Sequence, residues 1–350
     1  MKFGLSRLVG LALILSAAPA LAATTERLSV VSNGEVVGSV VAVTEGKKVA
    51  VDYSVVDNGR GPKHHEDILL GAGDIPLSWT VHGTSLMGGP VDEQYLWSNG
   101  TARWKSQADS GEAKTPTPRL YIVNDDSPWA EGVYARAALA AGNNLDVLPA
   151  GKLTLTKVRD LTIGSGADAV PVTAYRLSGV QLAPSYLMLD RDRRLFATFG
   201  GHGLTIRKGY EKEAPGILEL GADLEVERMR DLQQRLAHRF DSPIRIRNVH
   251  IFDPRSGTRG PLSTVVVMRD RITQVLAGDG GERPADEVLI DGEGGTLYPG
   301  LHDMHSHTSL QSGLYYLAAG VTETRDMGNR NSFLLDLLPK IERGEIAGPR

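Results

Sequence analysis

His305-Ser306-His307 sets two imidazoles one residue apart, a spacing that suits metal binding. In an extended strand residues two apart point to the same side, so both rings can converge on one ion. Neutral imidazole favours zinc, nickel or iron. Such an ion lowers the pKa of a bound water towards neutrality, which makes it a hydrolytic nucleophile. A bare His-x-His pair is a weak signal, since most lie on a surface and bind nothing. Its value depends on what surrounds it. The remaining groupings are weaker. His64-His65-Glu66-Asp67 follows Gly61-Pro62 and has Leu69 where a helical zinc motif needs its second histidine, so it reads as a solvated loop. Gly200-Gly201-His202-Gly203 lacks phosphate-loop spacing and reads as a turn between strands. The sequence has no G-x-S-x-G elbow and no Walker sequence, and with no cysteine at all it has neither disulfides nor thiolate ligands.

The elements around the pair come next. Thr296–Met304 reads as a strand, Leu310–Ala319 as a helix, Val321–Met327 as a second strand and Ser332–Arg343 as a second helix. Strands that alternate with helices form βα units, and in a (β/α)8 barrel the C-terminal ends of the strands carry the active site. Upstream, Ile244–Val249, Thr264–Met268, Ile272–Leu276 and Val288–Ile290 read as short strands. Between Gly221 and Phe240 a charged helix carries an apolar stripe of Leu224, Met229, Leu232, Leu236 and Phe240, as a connector between domains would. From Arg27 to Gly216 alternating strands such as Glu35–Val43, Lys48–Val55, Thr154–Leu161, Ala169–Leu177 and Tyr186–Leu189 are broken by Asn33-Gly34, Asn58-Gly59 and Asn99-Gly100 turns. One helix interrupts them, capped by Ser127 with Pro128 in its first turn. Trp79, Tyr95, Trp97, Trp104 and Tyr121 in this region are candidates either for the core or for the lining of an apolar ligand cavity.

Residues 244–350 resemble the amidohydrolase superfamily of metal-dependent hydrolases, in the branch of imidazolonepropionase and the Xaa-Pro dipeptidases. The resemblance runs through Ile246-Arg247-Asn248, Phe252-Asp253, Val265–Ile272, Ile290-Asp291-Gly292, Pro299-Gly300-Leu301, Asp303-Met304-His305-Ser306-His307, Ala319-Gly320-Val321-Thr322 and Arg325-Asp326-Met327-Gly328. It implies a small β-sandwich followed by a barrel that begins near Leu297. It also implies that His305 and His307 are ligands of a divalent metal, zinc above all, and that Asp303 orients the strand end behind them. The implied reaction is hydrolysis of a carbon-nitrogen bond, in an amide, a cyclic amide or a small peptide, by metal-activated water. His302 departs from the family pattern; by strand parity it faces away from the metal side and is expected to pack against the barrel floor. Arg269-Asp270 replaces the usual Asp-Gly turn, with an expected strain of about 1 kcal/mol at Asp270. The family's later ligands, a lysine, two histidines and an aspartate, come from strands with no counterpart in 297–350, and a full barrel needs about 250 residues. The expectation is therefore an incomplete barrel of two βα units, catalytically silent and weak in metal binding as it stands.

The layout read from the sequence is a signal peptide at 1–22, a β-rich domain at 23–220, a linker helix at 221–242, the sandwich portion at 243–296 and the start of the barrel at 297–350. Lys2 and Arg7, the apolar run Leu8–Ala18 and Ala20-Leu21-Ala22 give the three parts of a cleavable signal, with cleavage after Ala22. The apolar run is too short to span a bilayer, which needs about 20 residues, so stable membrane insertion is not expected and a periplasmic or secreted protein is. The net charge of −4, without long runs of either sign, argues against a nucleic-acid partner. A small molecule or dipeptide is the expected substrate. The competing reading is a non-catalytic protein that binds a ligand or partner through its β-rich domain.

Overall fold

Strand after strand of this chain alternates buried and exposed side chains, and sheets follow from that period of two. The computed structural model describes residues 23–200, 203–329 and 331–350. The expected signal segment, and Gly201 and His202 of the glycine-rich turn, lie outside the described residues. Two units result, Met1–Leu218 and Glu219–Arg350. Among the described residues no helix is long and apolar enough to cross a membrane.

The first unit is one sheet of fourteen antiparallel strands. β1 (Thr24–Ser32), β2 (Glu35–Glu45), β3 (Lys48–Val55), β4 (Lys63–Leu70), β5 (Pro76–Thr84), β6 (Pro90–Ser98), β7 (Thr101–Lys105) and β8 (Ser110–Lys114) form one meander. After helix α1 (Ala130–Ala140) a second meander runs through β9 (Asn144–Asp146), β10 (Lys152–Ile163), β11 (Val170–Ser178), β12 (Ser185–Asp190), β13 (Leu195–Gly200) and β14 (Gly203–Arg207). β1 pairs with β14 and joins the two meanders. At the far side the segment Leu120–Ile122 bonds to Leu148, with Ile122 N–H donating to the Leu148 carbonyl at 2.9 Å and Leu148 N–H to that of Leu120 at 2.8 Å. α1 buries Ala130, Gly132, Val133, Tyr134, Ala135, Ala137 and Ala138 and leaves Glu131 and Arg136 part-exposed, as a helix packed into the core over most of its surface does. Ser127 does not cap it: the helix starts at Ala130 and the Ser127 hydroxyl has no hydrogen-bond partner.

His64-His65-Glu66-Asp67 is strand β4, not a solvated loop. His64 and Glu66 face inward and His65 and Asp67 outward, so four consecutive polar residues satisfy the strand period with polar groups on the buried face. The aromatic candidates belong to the core. Trp79, Tyr95 and Tyr121 are each 1% exposed. Tyr95 and Tyr121 stack with centroids 4.9 Å apart, and Trp79 packs against Tyr134 of α1.

Helix α2 (Ala214–Leu236) crosses from the first unit into the second. In the second unit Met229 and Leu232 pack with Leu337, Phe333, Ile341 and Ile346. β15 (Ile244–Asp253), β16 (Thr258–Met268), β17 (Arg271–Ala277) and β18 (Val288–Leu297) form one four-stranded sheet in the order β17-β16-β15-β18. The turn from β16 to β17 is strained at Arg269, which takes φ of 54°, rather than at Asp270. β19 (Leu301–Ser306), helix α3 (Ser312–Ala318), β20 (Val321–Asp326) and helix α4 (Asn331–Glu342) complete the chain. β19 and β20 are parallel neighbours joined through α3, as a βαβ crossover requires. After α4 the backbone returns beside β20: Arg350 N–H donates to the Thr322 carbonyl at 3.0 Å and the Arg350 carbonyl accepts Thr324 N–H at 2.8 Å. These are the elements of two βα units; a closed barrel is not formed among the described residues.

Candidate functional site

β19 carries His305 one residue from its C-terminal end, and His307 follows directly after the strand. Ser306, 1% exposed, turns inward and shares hydrogen bonds with the Tyr316 hydroxyl at 2.8 Å and that of Thr308 at 3.2 Å. Strand parity then turns His305 and His307 the other way, where both are exposed and their ring centroids stand 5.4 Å apart. Two imidazoles on one tetrahedral zinc, with Zn–N of about 2.1 Å, would have centroids about 5.2 Å apart. The separation thus fits a shared ion. The donor set fits in part, because among the described residues no group of three or more His, Cys, Asp or Glu is placed to hold a metal.

Asp303 sits behind the pair, where its carboxylate accepts the backbone N–H of His305 at 3.0 Å. The bond falls where the β19–β20 register shifts, between Asp303 and Ser306. His302 does not pack against a floor. It lies opposite Glu323 of β20 and pairs with its carboxylate at 3.0 Å, with 59% of the side chain exposed.

The residue that organises the loops was not singled out by sequence reasoning. Asp326 lies opposite Ser306 in the register and accepts N–H groups from Thr308 at 2.8 Å and Gly328 at 3.0 Å, and the Asn329 amide at 3.0 Å. Desolvation works to raise its pKa, but the hydrogen bonds from Asn329, Gly328 and Thr308 prevail and hold it down at about 2. Asn329 also donates to the Thr308 carbonyl at 2.6 Å, closing the loop on itself. Gly328 faces the His307 ring, so a Cβ there would stand 3.5 Å from its Cε1. The Asp-x-Gly of Asp326-Met327-Gly328 was the available signal, since a carboxylate two residues before a glycine favours a turn that bonds its own backbone.

Against known proteins, no family model matches the chain, and no curated protein does. Solved structures do match in part. A putative prolidase from Bifidobacterium longum is 29% identical over 32% of this chain and 30% of its own length, with a TM-score of 0.29. Phenylurea hydrolase B is 26% identical over 31% of this chain and 29% of its own, with a TM-score of 0.26. A beta-barrel-like protein of a domain of unknown function from Brucella abortus covers 52% of this chain and 93% of its own at 9% identity, with a TM-score of 0.33. The chain spans about a third of the length of the prolidase and hydrolase structures that it resembles.

Proposed function

We propose that this protein belongs to a metal-dependent hydrolase acting on carbon-nitrogen bonds, in which His305 and His307 hold a divalent ion, zinc by preference, and the substrate is an amide, a cyclic amide or a small peptide. The observation that carries the reading is the pair itself: two exposed imidazoles at the C-terminal end of a parallel strand, with a centroid separation of 5.4 Å that one tetrahedral ion can bridge. His305 and His307 would hold the ion, whose chemistry would be to lower the pKa of a water and to polarise the substrate carbonyl. This chain's own residues set the positions. Ser306 and Tyr316 anchor the strand end from beneath, Asp303 holds the amide of His305, and Asp326 ties the loops that flank His307. The exported location read from the N-terminal sequence would place the reaction in the periplasm or outside the cell.

The test is site-resolved. Zinc is titrated into the full chain while the imidazole resonances of His305 and His307 are followed by NMR, with a His305→Ala, His307→Ala variant for assignment. Both rings should shift together and saturate along one binding curve as zinc is added. Any hydrolysis of dipeptides or N-acyl amides should fall with a chelator and in the double variant. Rings that zinc leaves unperturbed, or a hydrolysis indifferent to both treatments, would refute the proposal.

A further inference from the structure

The first unit holds a cluster of carboxyl groups that the proposed hydrolysis does not use. Glu66 on β4, Glu93 on β6, Asp126 in the loop before α1 and Glu131 in the first turn of α1 gather around the start of that helix. Two of them grip the loop by its backbone. Glu66, fully buried, accepts Ser127 N–H at 2.7 Å and the Trp79 indole N–H at 2.9 Å. Glu93 accepts the N–H groups of Asn124 and Asp125, each at 3.0 Å through Oε2, and the Tyr121 hydroxyl at 2.7 Å through Oε1. Bonds of this kind are strongest with an ionised acceptor.

Asp126 and Glu131 are placed differently. Asp126 accepts the Tyr134 hydroxyl at 2.7 Å, whose oxygen in turn accepts Val123 N–H at 3.0 Å. Glu131 accepts the Ser185 hydroxyl at 3.1 Å. Among the described residues no lysine or arginine forms an ion pair with any of the four. The groups that face them are His64 of β4, 3.3 Å from Glu66, with Tyr53 of β3, Asp125 of the loop, Tyr121, and Tyr134 of α1. Glu26 of β1 accepts the Trp129 indole nearby. Arg136 of α1 spends its charge on Asp74 at 3.0 Å. Carboxylates set against one another without a cation cannot all ionise at little cost.

We propose that Val123–Ser127 and the first turn of α1 form a proton-operated latch, shut on β4 and β6 while Asp126 and Glu131 are neutral and opened when both ionise. Burial, added to by repulsion from Glu66, Glu131 and Glu93 and only partly offset by the bond from Tyr134, holds the Asp126 carboxyl well above its ordinary range. Burial likewise pushes Glu131 up to about 7, against a smaller opposing effect of Ser185. The shut state therefore binds more protons than the open state, where both groups return to ordinary carboxyl values near 4. Latch stability is full below that range and is lost as pH rises through the shut-state values. The grip is also incomplete: Ser127, 1% exposed, leaves its hydroxyl without a hydrogen-bond partner, which makes the shut state easier to leave.

Hydrogen-deuterium exchange of the full chain, corrected for intrinsic rates, tests this on peptides spanning 121–135 between pH 5 and 8. Each proton lost on opening multiplies the opening constant about tenfold per pH unit. Opening should therefore rise at least tenfold between pH 5 and 7. An Asp126→Asn, Glu131→Gln variant should stay shut and lose that dependence. Should the double variant fail to fold, Glu131→Gln alone should lower the slope by one proton. Protection that is flat across this range in the wild type overturns the latch, as does a variant that keeps the wild-type slope.

Discussion

Gly300 lies where β19 first meets β20, and adding one methyl group there tests how the candidate site is positioned. A Cβ at Gly300 would collide with the Thr322 side chain, meeting its Oγ1 and standing 2.6 Å from Cγ2 and 2.8 Å from Cβ. Rotating Thr322 relieves one branch at a time and never moves its Cβ. To reach an ordinary carbon contact of about 3.5 Å the strands must part by roughly 0.7 Å at this point. The bond from Leu301 N–H to the Gly320 carbonyl, 2.9 Å long, lies next to the collision and will stretch. Overpacking of this kind costs about 1–3 kcal/mol. Gly300→Ala should lower the stability of the second unit by that amount, and Thr322→Gly should recover part of it. Urea unfolding of the single and double variants gives the coupling, expected at about 1 kcal/mol or more. His305 lies near the end of β19 and His307 directly after it, both far along the chain from the collision, so the zinc-induced shifts of their rings should survive in Gly300→Ala. A stability within 0.5 kcal/mol of wild type, or a coupling near zero, would show that β19 and β20 do not approach as described.

Three further outcomes follow from named contacts. Glu93→Ala strands the buried Tyr121 hydroxyl and two loop amides that water reaches more easily, so the first unit should lose about 2–4 kcal/mol in a denaturant titration, with Glu93→Gln losing less. Asp326 has a folded pKa of about 2, below its ordinary 3.8, so its contribution is present above pH 4 and is lost as pH falls towards 2; Asp326→Asn should remove that acid dependence from the exchange of the Thr308 and Gly328 amides. His302→Ala should leave the zinc response of His305 and His307 within twofold of wild type, because His302 faces Glu323 across the sheet.

Period and punctuation made many strands of both units legible, and the segments read at Leu310–Ala319, Val321–Met327 and Ser332–Arg343 correspond to α3, β20 and α4, whereas Thr296–Met304 falls across the end of β18 and the start of β19, which belong to different sheets. Burial of polar groups escaped the sequence reading. His64 and Glu66 were assigned to solvent because their types are polar, yet Glu66 is enclosed once Trp79 and Ser127 supply donors from residues distant in sequence. Ser127 failed as a cap for a related reason. Its amide is bound to Glu66, which fixes the loop two residues short of the helix. His302 found a carboxylate because Glu323 falls opposite it in a register that depends on how two strands slide, and no local pattern encodes that.

The histidine pair itself shows how far side chains that touch no substrate decide the geometry. Ser306 separates the two imidazoles, and its burial against Tyr316 is what compels them to share a face; an outward Ser306 would turn both rings inward. The register places Asp326 opposite Ser306, so the carboxylate that gathers the Thr308 and Gly328 amides is fixed by the same strand contact. Met327 N–H donates to the Ser306 carbonyl at 2.9 Å and extends that contact one residue beyond the end of β20. The positions of His305 and His307 thus rest on one buried hydroxyl and one loop-binding carboxylate. Replacing either should disturb the pair more than replacing the exposed Met304 between His302 and His305, because Met304 has no polar bond to lose.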